Sequence, residues 1–160
     1  MKSLINGKDI IVTMVSKNNA KLGYRFIRQG SSEECLRCSF KHICIDKLEE
    51  GRIYQIVNIR KNEHYCKLIN DKVKVVEVIE SNIKCTVPTR IAFEGSIITY
   101  NRITCDEIKC INFTECNPIG LKDGDKCKLV RKLGKVNCNK GKSLTAVVLF
   151  RISSFNVKQF

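Results

Sequence analysis

A mostly β chain of the α+β kind is predicted, built as a tandem duplication of two small β-rich lobes. Three observations predict it. β-Branched residues are plentiful, and apolar runs of five to nine residues are bounded by Gly, Asn and Asp, the pattern of hairpin strands. Ten of the 160 residues are cysteine, and Pro occurs only at Pro88 and Pro118. A shift of 72 positions lays Ala20 on Ala92, Gly23 on Gly95, Cys38 on Cys110, Cys44 on Cys116, Cys66 on Cys138, and Val75-Val76 on Val147-Val148. With slips of one or two residues, Leu48 and Gly51 meet Leu121 and Gly124, and Cys35 meets Cys105. The repeats are expected over 9–80 and 81–152, as two lobes or one compact pseudo-symmetric body.

Each repeat reads the same way along the chain. A first strand is expected at 9–15 and again at 82–87. An Ala-x-x-Gly segment leads into a second strand, 22–28 and 95–100. A short helical turn holding three cysteines follows. It is opened by a capping-box pattern, Ser31 with Glu34 and Thr104 with Glu107, which would satisfy the first backbone N–H groups. A Leu-x-x-Gly turn leads into strands at 52–60 and 126–133. Loops at 61–71 and 134–143 carry Cys66 and Cys138, and last strands lie at 72–79 and 144–152. Each cysteine-bearing turn should face the loop of its hairpin.

Eight of the ten cysteines fall into two matching sets. The first is Cys35-x2-Cys38-x5-Cys44-x21-Cys66, and the second Cys105-x4-Cys110-x5-Cys116-x21-Cys138. Three sulfurs from one short segment and a fourth from a distant one can enclose a single centre. Four thiolates suit tetrahedral zinc or an iron–sulfur cluster. Structural zinc draws on two paired knuckles, one on each side of the ion. The three-plus-one spacing here favours two clusters of the 4Fe-4S kind, and two Zn2+ sites remain the alternative. Cys85 and Cys127 stand where the other repeat has Thr13 and Tyr54, so they are read as small buried hydrophobes in strands. His42 and His64 have no counterparts in the second repeat, so neither is assigned as a ligand.

No signal-peptide apolar core or membrane-length apolar run is seen, so a cytoplasmic protein without membrane attachment is expected. Thiols stay reduced in that compartment, which turns clustered cysteines toward metal chemistry and away from disulfides. The formal net charge is +13. Two four-thiolate centres would bring it to about +9, still basic enough to attract nucleic acid or acidic proteins. Gly141-Lys142-Ser143 imitates the end of a phosphate loop, but the preceding Gly134 is too far back and the segment enters a strand. Asn112-Phe113-Thr114 is a glycosylation sequon without meaning in a cytosolic chain. No acid–base or nucleophilic constellation can be nominated, so no catalytic residues are assigned and an enzyme is not expected.

Several segments carry a family resemblance. They are Glu34-Cys35-x-x-Cys38-x-Phe40-x-x-x-Cys44, Leu48-Glu49-Glu50-Gly51-Arg52-x-Tyr54-x-Ile56-Val57, His64-Tyr65-Cys66, Val75-Val76-Glu77-Val78, Ala92-Phe93-Glu94-Gly95 and Gly120-Leu121-Lys122-x-Gly124-Asp125. Together they resemble an uncharacterised family of small archaeal proteins, over nearly the whole chain. The resemblance implies no established activity. It implies an archaeal source, plausibly an anaerobic methanogen, and two cysteine clusters that serve as iron–sulfur redox centres.

Three functions are then in competition. Two clusters could pass single electrons to a redox partner protein or sense redox state. Two zinc or cluster sites could stabilise a basic RNA-binding module, with Tyr24, Phe26 and Tyr100 as stacking candidates. A metal-stapled scaffold without chemistry is the third.

Overall fold

The computed structural model describes residues 4–153. It is mostly β, with short helices. The chain divides into two compact units, the first ending at Ser81 and the second beginning at Asn82. Each contains a four-stranded antiparallel sheet.

The first unit opens with a hairpin of β1 (Leu4–Ile5) and β2 (Lys8–Asp9). Its loop is Asn6-Gly7, with φ of 52° and 76°. Positive φ at both central residues is what an Asn-Gly turn between two-residue-loop strands requires. β3 (Ile11–Ser16), β4 (Arg25–Ile27), β5 (Ile53–Cys66) and β6 (Asp71–Glu80) then form a sheet in the order β3-β6-β5-β4. β6 shows why its apolar residues do not simply alternate. Val76 and Val78, fully buried, pack with Leu48, Tyr54 and Ile56 on one face. Val73 and Val75 pack on the other face with Met14, Phe40, Ile43, Cys44 and Cys66. The second face is covered by the cysteine turn, so a central strand of this sheet is apolar on both sides. Each fully buried valine of this kind contributes about 1.5–3 kcal/mol.

The second unit contains β7 (Ile83–Pro88), β8 (Ile97–Thr99), β9 (Lys126–Val136) and β10 (Leu144–Arg151), in the order β7-β10-β9-β8. Cys85, Val87, Cys127, Leu129, Val147 and Leu149 are all fully buried in its core. Cys85 lies opposite Val147 and Cys127 opposite Ile98, so both behave as the small strand hydrophobes expected of them.

Matching sets of backbone hydrogen bonds close the connections of each sheet. In the first unit Gly23 N donates to Ile56 O, Ile56 N to Tyr24 O, Gly51 N to Arg28 O and Arg28 N to Arg52 O, at 2.7–3.0 Å. In the second, Gly95 N donates to Leu129 O, Leu129 N to Ser96 O, Gly124 N to Tyr100 O and Tyr100 N to Asp125 O, at 2.7–2.9 Å. Gly51 and Gly124, which end the two Leu-x-x-Gly turns, sit at φ of 82° and 91°. An L side chain is strained at such positive φ even where space is open, which is why the turn ends on glycine.

Three local expectations need correction. The first helical turn, α1 (Glu33–Leu36), is capped by Ser32 rather than Ser31, because Ser31 Oγ accepts from the Arg28 guanidinium at 2.7 Å. The second turn has no helix at Thr104–Glu107. Ile103 is held in a buried cluster with Cys116 and Leu144, and Thr104 O accepts from Lys142 Nζ, so this stretch follows its side-chain anchors. Cys66 is the last residue of β5, not a loop residue. The β5–β6 ladder continues to Cys66 opposite Asp71, and Asn70 at φ 50° helps close the tight turn. In the second unit Cys138 does lie in the connection after β9.

Candidate metal centres

The first set is assembled from α1, α2 (Lys41–Cys44) and the end of β5. Ser32 Oγ accepts from Cys35 N at 3.3 Å, so the capped turn fixes the backbone at the first cysteine. Cys38 O then accepts from Lys41 N at 3.1 Å, and Cys44 N donates to Phe40 O at 2.8 Å, which winds the chain from Cys38 to Cys44. Thr13, fully buried on the edge strand β3, donates to Cys44 O at 2.8 Å and ties this turn to the sheet. Cys35, Cys38, Cys44 and Cys66 line one open pocket of about 560 Å3, together with Phe40, Tyr65 and Leu68.

The second set is assembled from the segment 103–112, α3 (Phe113–Cys116) and the connection after β9. Cys110 O accepts from Phe113 N at 3.0 Å and Cys116 N donates to Asn112 O at 2.9 Å. Three contacts draw the Cys138 connection onto the turn: Lys142 Nζ to Thr104 O, Lys140 to Asp106 at 3.4 Å, and Asn112 Nδ2 to Asn137 O at 3.0 Å. Cys105, Cys110, Cys116 and Cys138 line a much tighter pocket of about 20 Å3, with Ile103, Val136 and Leu144 behind them.

Electrostatics show that each set acts on itself. Burial pushes the Cys44 thiol up to about 11, and Cys35, Cys66 and Cys38 add to the rise, while the Arg28 guanidinium opposes it. The Cys116 thiol is likewise raised, first by burial and then by Cys110, Cys105 and Cys138, with the Thr86 hydroxyl pulling the other way. Thiols whose charged forms raise one another's proton affinity resist ionising together unless a cation arrives. All ten cysteines are free thiols. Each pocket therefore offers four thiols with an apolar backing, beside one carboxylate (Glu34 in the first, Glu107 in the second) and several cationic side chains, and Arg28 acts on Cys44 in the first. Among the described residues, no three His, Cys, Asp or Glu side chains are drawn together as they would be around one metal ion.

The remaining sequence candidates sort cleanly. Cys85 is pushed up to about 12, by burial above all and then by Cys127, Glu115 and Cys116. His64 packs against Phe40 with ring centres 4.4 Å apart and planes tilted by 41°, and His42 is exposed. Phe26 and Tyr24 pack against the first core, and Tyr100 is 1% exposed, so none of the three is a free stacking platform. Thr13 was not legible as a site residue, because it reaches the cysteine turn from 31 residues away; Arg28 bonds Ser31 locally, and only folding sets its charge to act on Cys44.

The fold and pockets define a small, two-unit β protein with a four-cysteine pocket in each unit. No helix among the described residues is long and apolar enough to cross a membrane. The model of the Uncharacterised protein family UPF0179 matches residues 11–149, and the chain belongs to that family. Its relatives are archaeal. A UPF0179 protein of Methanocaldococcus jannaschii is 38% identical over 143 residues, covering 89% of this chain and 95% of the relative. One of Methanobrevibacter smithii is 39% identical, covering 87% and 97%. One of Pyrococcus abyssi is 36% identical, covering 89% and 98%. No solved structure matches.

Proposed function

We propose that the chain is a duplicated two-centre iron–sulfur protein that transfers electrons or senses redox state, with Cys35, Cys38, Cys44 and Cys66 holding one cluster and Cys105, Cys110, Cys116 and Cys138 the other. The observation that carries the proposal is that each predicted four-cysteine set lines one pocket. The duplication is supported by equivalent hydrogen bonds at a constant offset: Lys41 N to Cys38 O beside Phe113 N to Cys110 O, and Cys44 N to Phe40 O beside Cys116 N to Asn112 O. In this reading the last strand shifts by 71, not 72. Val76 lies opposite Thr13 as Val147 lies opposite Cys85.

A polynuclear centre is favoured over two zinc ions by the three-plus-one spacing of each set, with three thiols from one segment and the fourth from a distant one. Ligand sulfurs of a cluster stand farther apart than those around one ion. When bound, each cluster would supply a one-electron acceptor whose potential is set by burial, nearby charge and hydrogen bonds to sulfur. Val73, Val75 and Met14 exclude water from one side of the first pocket, and Ile103 and Leu144 do so at the second. Binding must displace the thiol protons, so loading should strengthen as pH rises from 6 to 8.

The test is an anaerobic preparation analysed for iron and sulfide. About eight irons per chain and broad absorption near 400 nm are expected, as two four-iron clusters require. Colourless protein with two zincs would remove the redox reading and leave two structural metal sites.

A further inference from the structure

β7 carries a hydroxyl beside the second cysteine set that no residue around it satisfies. Thr86 is fully buried, and its Oγ1 has no hydrogen-bond partner among the described residues. A buried hydroxyl without a partner is unfavourable, and such a group in a native fold calls for a reason.

The register shows where this hydroxyl stands. Pro88, Thr86 and Lys84 lie opposite Leu144, Ala146 and Val148, and side chains two apart along a strand share a face. At one end of that row Leu144 packs in the cluster that holds Cys116. At the other end Lys84 Nζ lies 2.7 Å from Oε1 of Glu115, the residue before Cys116. Thr86 lies between these two contacts, against the end of α3. Burial raises the proton affinity of the Cys116 thiol, and the Thr86 hydroxyl opposes that rise. The first unit has no such donor. A shift of 72 puts Met14 in the place of Thr86. Met14, opposite Val75, packs in the cluster that Cys44 joins, and its thioether has no proton to give.

We propose that Thr86 is a positioning residue of the second centre: its hydroxyl donates to Cys116 Sγ once that sulfur is a metal-bound thiolate, and the bond holds the ligand and raises the potential of the centre. A thiol sulfur is a weak acceptor and a thiolate a charged one, so metal binding supplies the partner that the hydroxyl lacks. A hydrogen bond to a ligand sulfur stabilises the more negative, reduced state of a cluster and so moves its potential upward. The two units then tune their centres by different means, a guanidinium acting on Cys44 and a hydroxyl on Cys116. The effect on potential rests on the iron–sulfur reading; the hydrogen bond rests only on Cys116 being a metal ligand.

Thr86→Val keeps the shape without the hydroxyl, and Thr86→Ser keeps the hydroxyl. Both are compared in the full chain carrying Cys38→Ser, which leaves only the second set complete; Cys38 is exposed, so this change spares the core. The cobalt(II)-loaded chain is titrated anaerobically with a competing chelator. Thr86→Val should weaken cobalt binding about 10–100-fold, as loss of a partner to a metal ligand does, and Thr86→Ser should match the parent. Unchanged affinity in Thr86→Val, or equal loss in Thr86→Ser, would overturn the hydrogen bond. With Cys110→Ser in place of Cys38→Ser, the first set should hold cobalt equally with and without Thr86→Val; a matching loss there would reveal a defect of the whole chain and overturn the local assignment. After iron loading, Thr86→Val should lower the reduction constant of the remaining centre about tenfold, roughly 59 mV for one electron, and Thr86→Ser should not. Weakened cobalt binding with an unmoved midpoint would overturn the tuning role. If no iron cluster forms, the redox reading fails by itself, and the cobalt result still decides the role of Thr86.

Discussion

Replacing Thr13 by valine isolates a hydrogen bond that ties the first cysteine turn to its sheet. Thr13 is fully buried on β3 and donates to Cys44 O at 2.8 Å. Valine keeps the shape and removes the donor. The Cys44 carbonyl then loses its partner in a buried setting, which costs about 1–3 kcal/mol. The added methyl recovers up to about 1 kcal/mol by burial. A net loss of roughly 1–2 kcal/mol should remain. In a unit of this size, that lowers the melting midpoint by roughly 4–16 °C. Native-state hydrogen exchange under reducing, anaerobic conditions reads the effect unit by unit. Amides of β6 should lose protection while those of β10 keep theirs. Unchanged protection in β6 would refute the anchoring role, and equal loss in β10 would show that the substitution acts on the whole chain.

Other outcomes follow from the same contacts. Cys85→Ala should cost about 1–2 kcal/mol through the small cavity it leaves, yet metal content should stay that of the parent; a halved content would overturn the ligand assignment. Arg28→Leu removes the cation that favours the charged form of Cys44, so a cluster in the first pocket should become harder to reduce, and a redox titration should show its potential moving negative. The first pocket is the more open and Cys38 is exposed, so exposure to a chelator should strip metal from the first set before the second. Lys8 tests pH dependence. Burial lowers its amine to about 8, helped by Arg25 and opposed by Glu80, and its Nζ donates to Glu80 O at 2.5 Å. The unfolded chain binds this proton up to about 10.5, so the burial cost is present at pH 7 and relieved between about 8 and 10.5. Chemical denaturation should show the advantage of Lys8→Met over the parent shrinking across that range, even though the thiols titrate there too.

Much of the architecture could be read from local pattern. Short β-branched runs marked the strands of both sheets, and glycines at offsets near 72 marked matching turns at Gly51 and Gly124. Cysteine spacing alone separated Cys85 and Cys127 from the other eight. The Asn6-Gly7 hairpin was equally legible and was passed over, because the repeat ended short of it. Aromatics were read less well. Tyr100 and Phe26 looked available for stacking, and only the packed sheets reveal that both are enclosed.

The division has a physical basis. Strand pairing, turn chemistry and thiol spacing depend on residues close together in the chain, so composition and periodicity determine them. Which serine caps α1, where the β5 ladder stops, and how far a second turn winds were decided by contacts that the chain makes only once folded: Arg28 on Ser31, Asp71 opposite Cys66 and, from 38 residues away, Lys142 on Thr104. The pockets belong to this second group. Twenty-one residues separate the third and fourth cysteine of each set, and only the return of a hairpin brings the fourth thiol back to the other three.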